Sequence, residues 1–157
     1  MKLQEVRYDD LVVQRLTREV QAEYGRRYGG NGDSSPMDPA RFVAPHGRFL
    51  LATIDDQPVG MGGWRLGGPA DGDAEIKRMY VREHRRRTGI ARVILDELAR
   101  TAMEAGVRRL VLETGNAQPE AIAMYRAAGF VDIPAFGHYA ESPDAVHLAK
   151  ELEPEPR

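Results

Sequence analysis

The sequence predicts a single α+β domain built from one mixed sheet with helices against it. Short apolar segments typical of strands occur three in succession, and a strand–helix–strand unit follows them. At 157 residues the chain has the length of one domain, and it contains neither an internal repeat nor a linker that would divide it. We therefore expect one domain over residues 1–152, followed by a proline-containing tail at 153–157 that is frayed.

The first half of the chain is predicted to hold one long helix between strands. Residues 3–8 are typical of a short strand, after which Asp9 or Asp10 can cap a helix that runs to about Arg27. The apolar residues of this helix recur along one face: Leu11, Val12, Leu16, Val20 and Tyr24. A glycine-rich loop, a short helical turn and two strands joined by a hairpin are expected next, at residues 29–36, 38–43, 49–54 and 59–66.

The second half is predicted to contain a central helix with strands on either side. Residues 74–81 are typical of a strand, and residues 89–105 are typical of a helix that Gly106 ends. This helix is the clearest element because its apolar residues form a stripe: Ile90, Val93, Ile94, Leu98 and Ala102. The remaining elements are expected to be a strand at 107–113, a helix at 119–128, and strands at 130–133 and 146–152.

Composition and charge exclude several classes of site and partner. The chain has no cysteine, which rules out a disulfide framework, a thiol nucleophile and a cysteine-ligated metal. No apolar run is long enough for a transmembrane helix, and the N-terminus lacks the apolar region of a signal peptide. The net charge of −2 gives no overall attraction to nucleic acid or anionic membrane. We therefore expect a cytoplasmic protein with no membrane or nucleic-acid partner. We also expect no metal, because the histidines lack the spacing of ligands: His46, His84, His138 and His147.

A basic turn before the central helix is the strongest local signal for a ligand. The strand at 74–81 leads into Arg86-Arg87-Thr88-Gly89-Ile90-Ala91, and the helix begins at Gly89. Backbone N–H groups at a helix N-terminus lack internal partners and attract anions. Glycine lets the backbone approach a phosphate closely, and Arg86 or Arg87 can add a charge-assisted contact. The alternative interpretation is a solvated arginine cluster beside a helix start.

These residues resemble the GNAT superfamily of acyl-coenzyme A-dependent N-acetyltransferases. The family signature, Gln/Arg-x-x-Gly-x-Gly/Ala directly after the fourth strand, is matched by residues 86–91. A second segment, Ala121-Ile122-Ala123-Met124-Tyr125-Arg126-Ala127-Ala128-Gly129-Phe130, resembles the family's second motif, in which a tyrosine shortly precedes Gly-Phe. The resemblance covers about residues 50–152. It implies an α+β fold with a mixed, mostly antiparallel sheet that splays apart between strands 4 and 5 and is flanked by helices.

The resemblance implies that acetyl-coenzyme A is the cosubstrate, without a metal, and that an amine attacks its thioester directly. The backbone of the fourth strand is expected to pair with the pantetheine arm and to polarise the thioester carbonyl. The basic turn is expected to bind the pyrophosphate. The residues implied in cofactor binding are Met79, Tyr80, Val81, Arg86, Arg87, Thr88, Gly89, Ile90, Ala91, Asn116 and Gln118.

Two proton transfers accompany this reaction, one from the ammonium group and one to the leaving thiolate. Tyr125 matches the family tyrosine that acts as general acid near the sulfur, although the same residue could be a core residue on a helix face. Glu75, on the fourth strand, is the first candidate for the general base, and Glu113, at the end of the next strand, is the second. Either carboxylate can instead be a solvent-facing or ion-paired strand residue.

The acceptor amine is expected to bind between the first helix with its glycine-rich loop and the segment near residues 136–139. The implied contacts are Tyr28, Lys77, Arg78, His138 and Tyr139, and strand parity does not tell which of Lys77 and Arg78 faces the site. A small-molecule amine is favoured over a protein acceptor because the chain has no added recognition module. A noncatalytic acyl-coenzyme A sensor stays open as a function of a different class. The charge balance and the missing aromatic interleaving disfavour a nucleic-acid binder built on the arginine cluster. A homodimer is expected only by analogy with the family.

Overall fold

The computed structural model describes residues 1–153, so the tail predicted to fray lies outside the described residues from position 154 onward. One seven-stranded sheet runs through the described chain in the order β1-β2-β3-β4-β5-β7-β6. All neighbouring strands are antiparallel except the parallel pair β4 and β5. The strands are β1 (Lys2–Glu5), β2 (Gly47–Ile54), β3 (Gln57–Leu66), β4 (Asp73–Val81), β5 (Arg109–Gly115), β6 (Val131–Asp132) and β7 (Ala145–Glu151).

Three helices pack on the sheet: α1 (Leu11–Tyr28), α2 (Ile90–Glu104) and α3 (Pro119–Ala127). The side chain of Asp10 caps α1 by accepting hydrogen bonds from the backbone N–H groups of Val12 and Val13. Gly89 precedes α2 with a φ of +84°, a left-handed conformation that glycine adopts without cost. A 3₁₀ turn at Pro39–Phe42 corresponds to the helical turn predicted for 38–43.

The two faces of the sheet carry separate hydrophobic cores. On one face α2 and α3 bury Trp64, Ile94 and Leu98. On the other face α1 buries Leu16 against an aromatic cluster that includes Phe49. Because both faces are covered, the interior-facing residues of β2 and β3 are apolar or glycine throughout, as a doubly covered sheet requires.

Of the predicted strand boundaries that differ from the structure, two have a clear local reason. The first strand was expected to reach Tyr8 but ends at Glu5, because Tyr8 leaves the sheet and packs its ring on Phe49 with centroids 5.3 Å apart. The fifth strand was expected to begin at Val107 but begins at Arg109. The backbone N–H of Val107 instead donates to the carbonyl of Ala102 and closes the end of α2.

The sheet separates between β4 and β5, as the resemblance implied. Parallel pairing joins the two strands only at Asp73, Ala74 and Glu75. Within residues 1–153, no strand pairs with β4 on that side from residue 76 onward. The gap leaves an open backbone edge on β4 from residue 76 onward.

Candidate functional site

Two connected depressions lie where β4 and β5 diverge. The first, here called the groove, has a volume of about 950 Å³ and runs from the turn before α2, along the end of β4, to α3. The second, the inner cavity, has a volume of about 180 Å³ and lies beneath the loop that follows α1. Both depressions are lined by Tyr24, Met79, Gln118, Ala121 and Tyr125. A ligand in the groove and a ligand in the inner cavity therefore meet beside these residues.

The outer end of the groove has the features of an anion site. Gly89, Ile90 and Ala91 line it, and they form the N-terminus of the 15-residue helix α2. Arg87 lines it as well and is largely exposed, with an ion pair to Glu120 at 2.8 Å. Thr88 completes the turn by donating from its hydroxyl to the carbonyl of Arg85.

Arg86 anchors the turn to the rest of the fold. Its Nε donates to the carbonyl of Val81 at 2.8 Å, and its Nη2 donates to a carboxylate oxygen of Glu23 on α1 at 2.7 Å. Arg85, which is not among the predicted binding residues, also lines the groove, and its buried Nε has no hydrogen-bond partner among residues 1–153. A buried donor without a partner is costly unless a ligand satisfies it. Its place in the arginine cluster was the only signal for it.

The middle of the groove is the open edge of β4. Met79, Tyr80 and Val81 line the groove there. Backbone N–H and C=O groups on an unpaired strand edge accept an extended ligand as they would accept another strand.

Tyr125 stands at the junction of the groove and the inner cavity. Its side chain is buried, and its ring packs edge-to-face on Phe130 with centroids 5.5 Å apart. Burial, with smaller contributions from Tyr24 and Glu113, raises the pKa of Tyr125 well above that of an ordinary tyrosine. The hydroxyl therefore keeps its proton at neutral pH and is available as a hydrogen-bond or proton donor.

Glu113 and Glu75, the two candidate bases, differ sharply in their surroundings. Glu113 lines the inner cavity, and burial raises its pKa to about 7, with Lys77 opposing that shift and Asp33 and Glu75 adding to it. Glu75 is not among the residues that line either depression, and its carboxylate pairs with Arg65 at 3.0 Å. Since a general base works best with a pKa near the working pH and within reach of its substrate, the geometry favours Glu113.

A bulge in β4 brings Lys77 and Arg78 to the same face of the sheet. Lys77 pairs with Gly63 and Tyr80 pairs with Met61, so two residues of β4 stand opposite the single residue Gly62. Arg78 occupies this bulge with a φ of +60°, which is unusual for a residue with a side chain. Both side chains consequently reach one carboxylate oxygen of Asp33: Lys77 Nζ lies 3.4 Å from it and Arg78 Nη1 lies 2.6 Å from it.

Asp33 is the centre of a hydrogen-bond network that fixes the loop after α1. Besides the two cations, its carboxylate accepts hydrogen bonds from the hydroxyl of Tyr139 at 2.7 Å and from the backbone N–H of Ser35 at 2.8 Å. Burial alone would raise the pKa of Asp33, but the charge of Lys77, the hydrogen bonds from Ser35 and the charge of Arg78 together lower it well below its usual value. The role of Asp33 gave no sequence signal, because it depends on partners 44 and 45 positions away.

The other predicted contacts divide between the wall of the cavity and its surroundings. Tyr28 and Tyr139 line the inner cavity. The hydroxyl of Tyr28 accepts hydrogen bonds from Gln118 and from a backbone N–H in the β5–α3 loop. His138 contacts Ser34 on the loop at 3.1 Å without lining the cavity, and Asn116 lines neither depression.

Neither a metal cluster nor a membrane-spanning helix is found in the part of the chain that the structure describes. Over residues 1–153, the histidines and carboxylates form no group of three or more placed to hold a metal ion. None of the helices in that range is long and apolar enough to cross a membrane.

Comparison with known proteins places these features in a family. Residues 13–130 match the profile of the acetyltransferase (GNAT) family. The chain is 34% identical over 143 residues to an IAA acetyltransferase of Azospirillum brasilense, a match that covers 91% of this chain and 92% of that protein. A solved structure from Klebsiella pneumoniae, provisionally assigned as an acyl-CoA N-acyltransferase, is 25% identical with a TM-score of 0.80 and 97% of each chain covered. An aminoglycoside 6'-N-acetyltransferase solved with coenzyme A shares the fold with a TM-score of 0.74, at 16% identity over the full length of both chains.

Proposed function

This chain belongs to the GNAT acetyltransferase family and is an acyl-CoA-dependent N-acyltransferase, and from that premise we propose that it transfers an acetyl group from acetyl-CoA to a primary amine of a small molecule. The observation that carries the proposal is the junction at Tyr125, where the groove and the inner cavity open onto the same side chain. One depression takes the thioester, the other takes the amine, and the two reactants meet in an attack geometry.

The groove has the features that acetyl-CoA requires. The N-terminus of α2 and the unpartnered Nε of Arg85 would hold the pyrophosphate, and Arg87 lies at the same end. The open edge of β4 at Met79–Val81 would hold the pantetheine arm, whose amide groups pair with a strand edge. Acetyl-CoA supplies the thioester, and the fold supplies its orientation.

The proton transfers are assigned to two residues of the junction. Glu113 accepts a proton from the acceptor amine, because it lines the inner cavity and has a pKa close to neutral pH. Tyr125 donates to the sulfur of the leaving thiolate, because it lines the groove at its inner end and keeps its proton. The amine attacks the thioester carbon directly, so no covalent enzyme intermediate forms.

A small acceptor suits the inner cavity better than a folded protein does. The volume of the inner cavity, about 180 Å³, is smaller than the roughly 300–1,000 Å³ of pockets that bind drug-sized ligands. The Asp33 network closes the loop after α1 over it. The similar proteins that are named as IAA and aminoglycoside acetyltransferases also support a small-molecule acceptor. The homodimer and the cytoplasmic location stay predictions.

Turnover against a panel of amines tests the proposal. We expect acetyl-CoA to release free thiol when one class of small amine is added, among amino acids, polyamines, aminoglycosides and short peptides, and not in the absence of an amine. Release with peptides alone would favour a protein acceptor. Tight calorimetric binding of coenzyme A without thiol release for any amine would identify a sensor in place of an enzyme.

A matched pair of substitutions tests the anion site. Gly89→Asp and Gly89→Asn bear the same cost of a side chain at φ +84°, and both have open space for it, but only aspartate places a negative charge at the N-terminus of α2. We expect the aspartate variant to bind coenzyme A about tenfold more weakly than the asparagine variant. The difference should shrink as salt rises, because screening weakens exposed charge interactions. Equal affinities at low salt would place the pyrophosphate elsewhere.

A further inference from the structure

We infer that the acceptor carries a carboxylate as well as its amine, and that Lys77 and Arg78 bind that carboxylate in the inner cavity. This inference rests on the proposed transferase function and narrows its substrate class to amino acids and similar amino-carboxylates. It depends on the bulge in β4, on the count of charges around the cavity, and on the hydrogen-bond donors left over there.

The bulge at Arg78 places two cations where a regular strand would place one. Residues adjacent in a strand point to opposite faces of the sheet, yet Lys77 and Arg78 both line the inner cavity. Both side chains are buried, with 7% and 4% of their surfaces exposed. Burying two cations side by side is costly without counter-charges.

Apart from Glu113, the counter-charges on this face fall short by one. Asp33 faces both cations, and its carboxylate already accepts four hydrogen bonds, which uses all its acceptor sites. Glu75 on the neighbouring part of β4 is paired with Arg65, and Asp144 is exposed at the rim of the cavity. Glu113 is the remaining anion of the cavity wall.

Glu113 supplies a counter-charge only while it is ionised. Its pKa of about 7, raised by burial, leaves it partly protonated at neutral pH. When it takes the proton of the acceptor amine, the pair Lys77 and Arg78 retains a single anion, Asp33. A carboxylate on the acceptor provides the missing negative charge at this step, so it stabilises the reacting complex.

Donors for that carboxylate are present on the wall of the cavity. Lys77 uses two of its three Nζ hydrogens, on Ser35 at 2.7 Å and on Asp33 at 3.4 Å. Arg78 uses Nε on Tyr8 and Nη1 on Asp33, and its Nη2 has no partner among the residues described. Glu113 lines the same cavity. An amino-carboxylate therefore has a basic group for its ammonium and cationic donors for its carboxylate within one small space.

Matched acceptors test the inference without a change in the protein. Each amino acid of the panel is compared with its carboxamide, in thiol release and in calorimetric binding to the protein saturated with coenzyme A. We expect the acid to exceed the amide in kcat/KM and in affinity by about tenfold or more. The amide has the less basic amine and hence more of the reactive free form, so that difference works against the expected result.

Two variants assign the preference to the cations. Lys77→Met should bring acid and amide to within about threefold of each other, because it weakens the acid more than the amide. Arg48→Met removes a cation that pairs with Glu5 and packs over Trp64, away from the cavity, and it should keep the wild-type preference. Retention of the full preference in Lys77→Met would overturn the assignment.

The two proposals fail in distinguishable ways. Thiol release that is equal for acids and amides supports the transferase and overturns the carboxylate inference. Binding that prefers acids, with no thiol release for any acceptor, supports the carboxylate site and overturns the transferase. Absence of binding by every acid of the panel overturns the inference directly.

Discussion

Replacing Tyr125 by phenylalanine is expected to lower kcat by about 100- to 10,000-fold, the range that a general acid contributes, and to leave the affinity for coenzyme A within about twofold. The substitution removes one oxygen at the junction of the groove and the inner cavity. Within residues 1–153, that hydroxyl has no hydrogen-bond partner, so its loss leaves no donor or acceptor unpaired. The ring and its packing on Phe130 are retained, and the fold should be as stable as the wild type.

Tyr24→Phe is the matched control for this prediction. Tyr24 is a second tyrosine that lines both depressions, and burial likewise raises its pKa above the ordinary value. It lies on α1 rather than α3, outside the segment that carries the second family motif. We expect its replacement to change kcat by less than about tenfold. Stopped-flow measurement of thiol release, with calorimetry of coenzyme A binding, separates the two. A large loss in Tyr24→Phe with an active Tyr125→Phe would transfer the role of the acid to Tyr24.

The parts of the site that the sequence predicted depend on contacts along the chain. The turn at residues 86–91 and helix α2 form one continuous segment. The glycine, the apolar stripe and the basic residues are therefore adjacent in the sequence and can be recognised together. The gap between β4 and β5 followed from the resemblance, because both motifs that flank it are present. Tyr125 was placed by its motif at a distance of four residues from Gly129.

The parts that the sequence did not predict depend on backbone irregularity and on distant pairing. Alternation along a strand gives one face for Lys77 and the other for Arg78, and only the bulge, with its φ of +60°, places both on Asp33. The proposed order of the two bases, Glu113 before Glu75, depends on distant contacts of the same kind. The sequence does not tell that Arg65, on another strand, neutralises Glu75. Nor does it tell that the packing of β5 beside β7 leaves Glu113 in a buried cavity wall.

Replacing Glu113 by glutamine is expected to lower kcat/KM by about 100-fold or more and to remove its pH dependence near neutrality. In the wild type, kcat/KM should rise with pH through about 7, the pKa of Glu113, because the base acts only when ionised. Glu75→Gln is the matched control: it makes the same change in a carboxylate paired with Arg65 outside the cavity. That variant should keep the rising limb. Loss of the limb in Glu75→Gln, and its retention in Glu113→Gln, would return the role of the base to Glu75.

The same substitution should stabilise the protein at alkaline pH, which separates a catalytic loss from an unfolded variant. Burial raises the pKa of Glu113 from 4.5 to about 7, so the folded state binds a proton that the unfolded state has released. The free energy of unfolding therefore falls as pH rises between these two values, and above about pH 7 it falls no further. Glu113→Gln should therefore raise the free energy of unfolding by about 2–3 kcal/mol at pH 8, after allowance for solvent screening. Below pH 4 it should leave the free energy of unfolding unchanged. Denaturant unfolding of both proteins at the two pH values measures the difference. A carboxylate that the fold holds at a loss of stability, and whose removal abolishes turnover, is retained for its reactivity rather than for its packing.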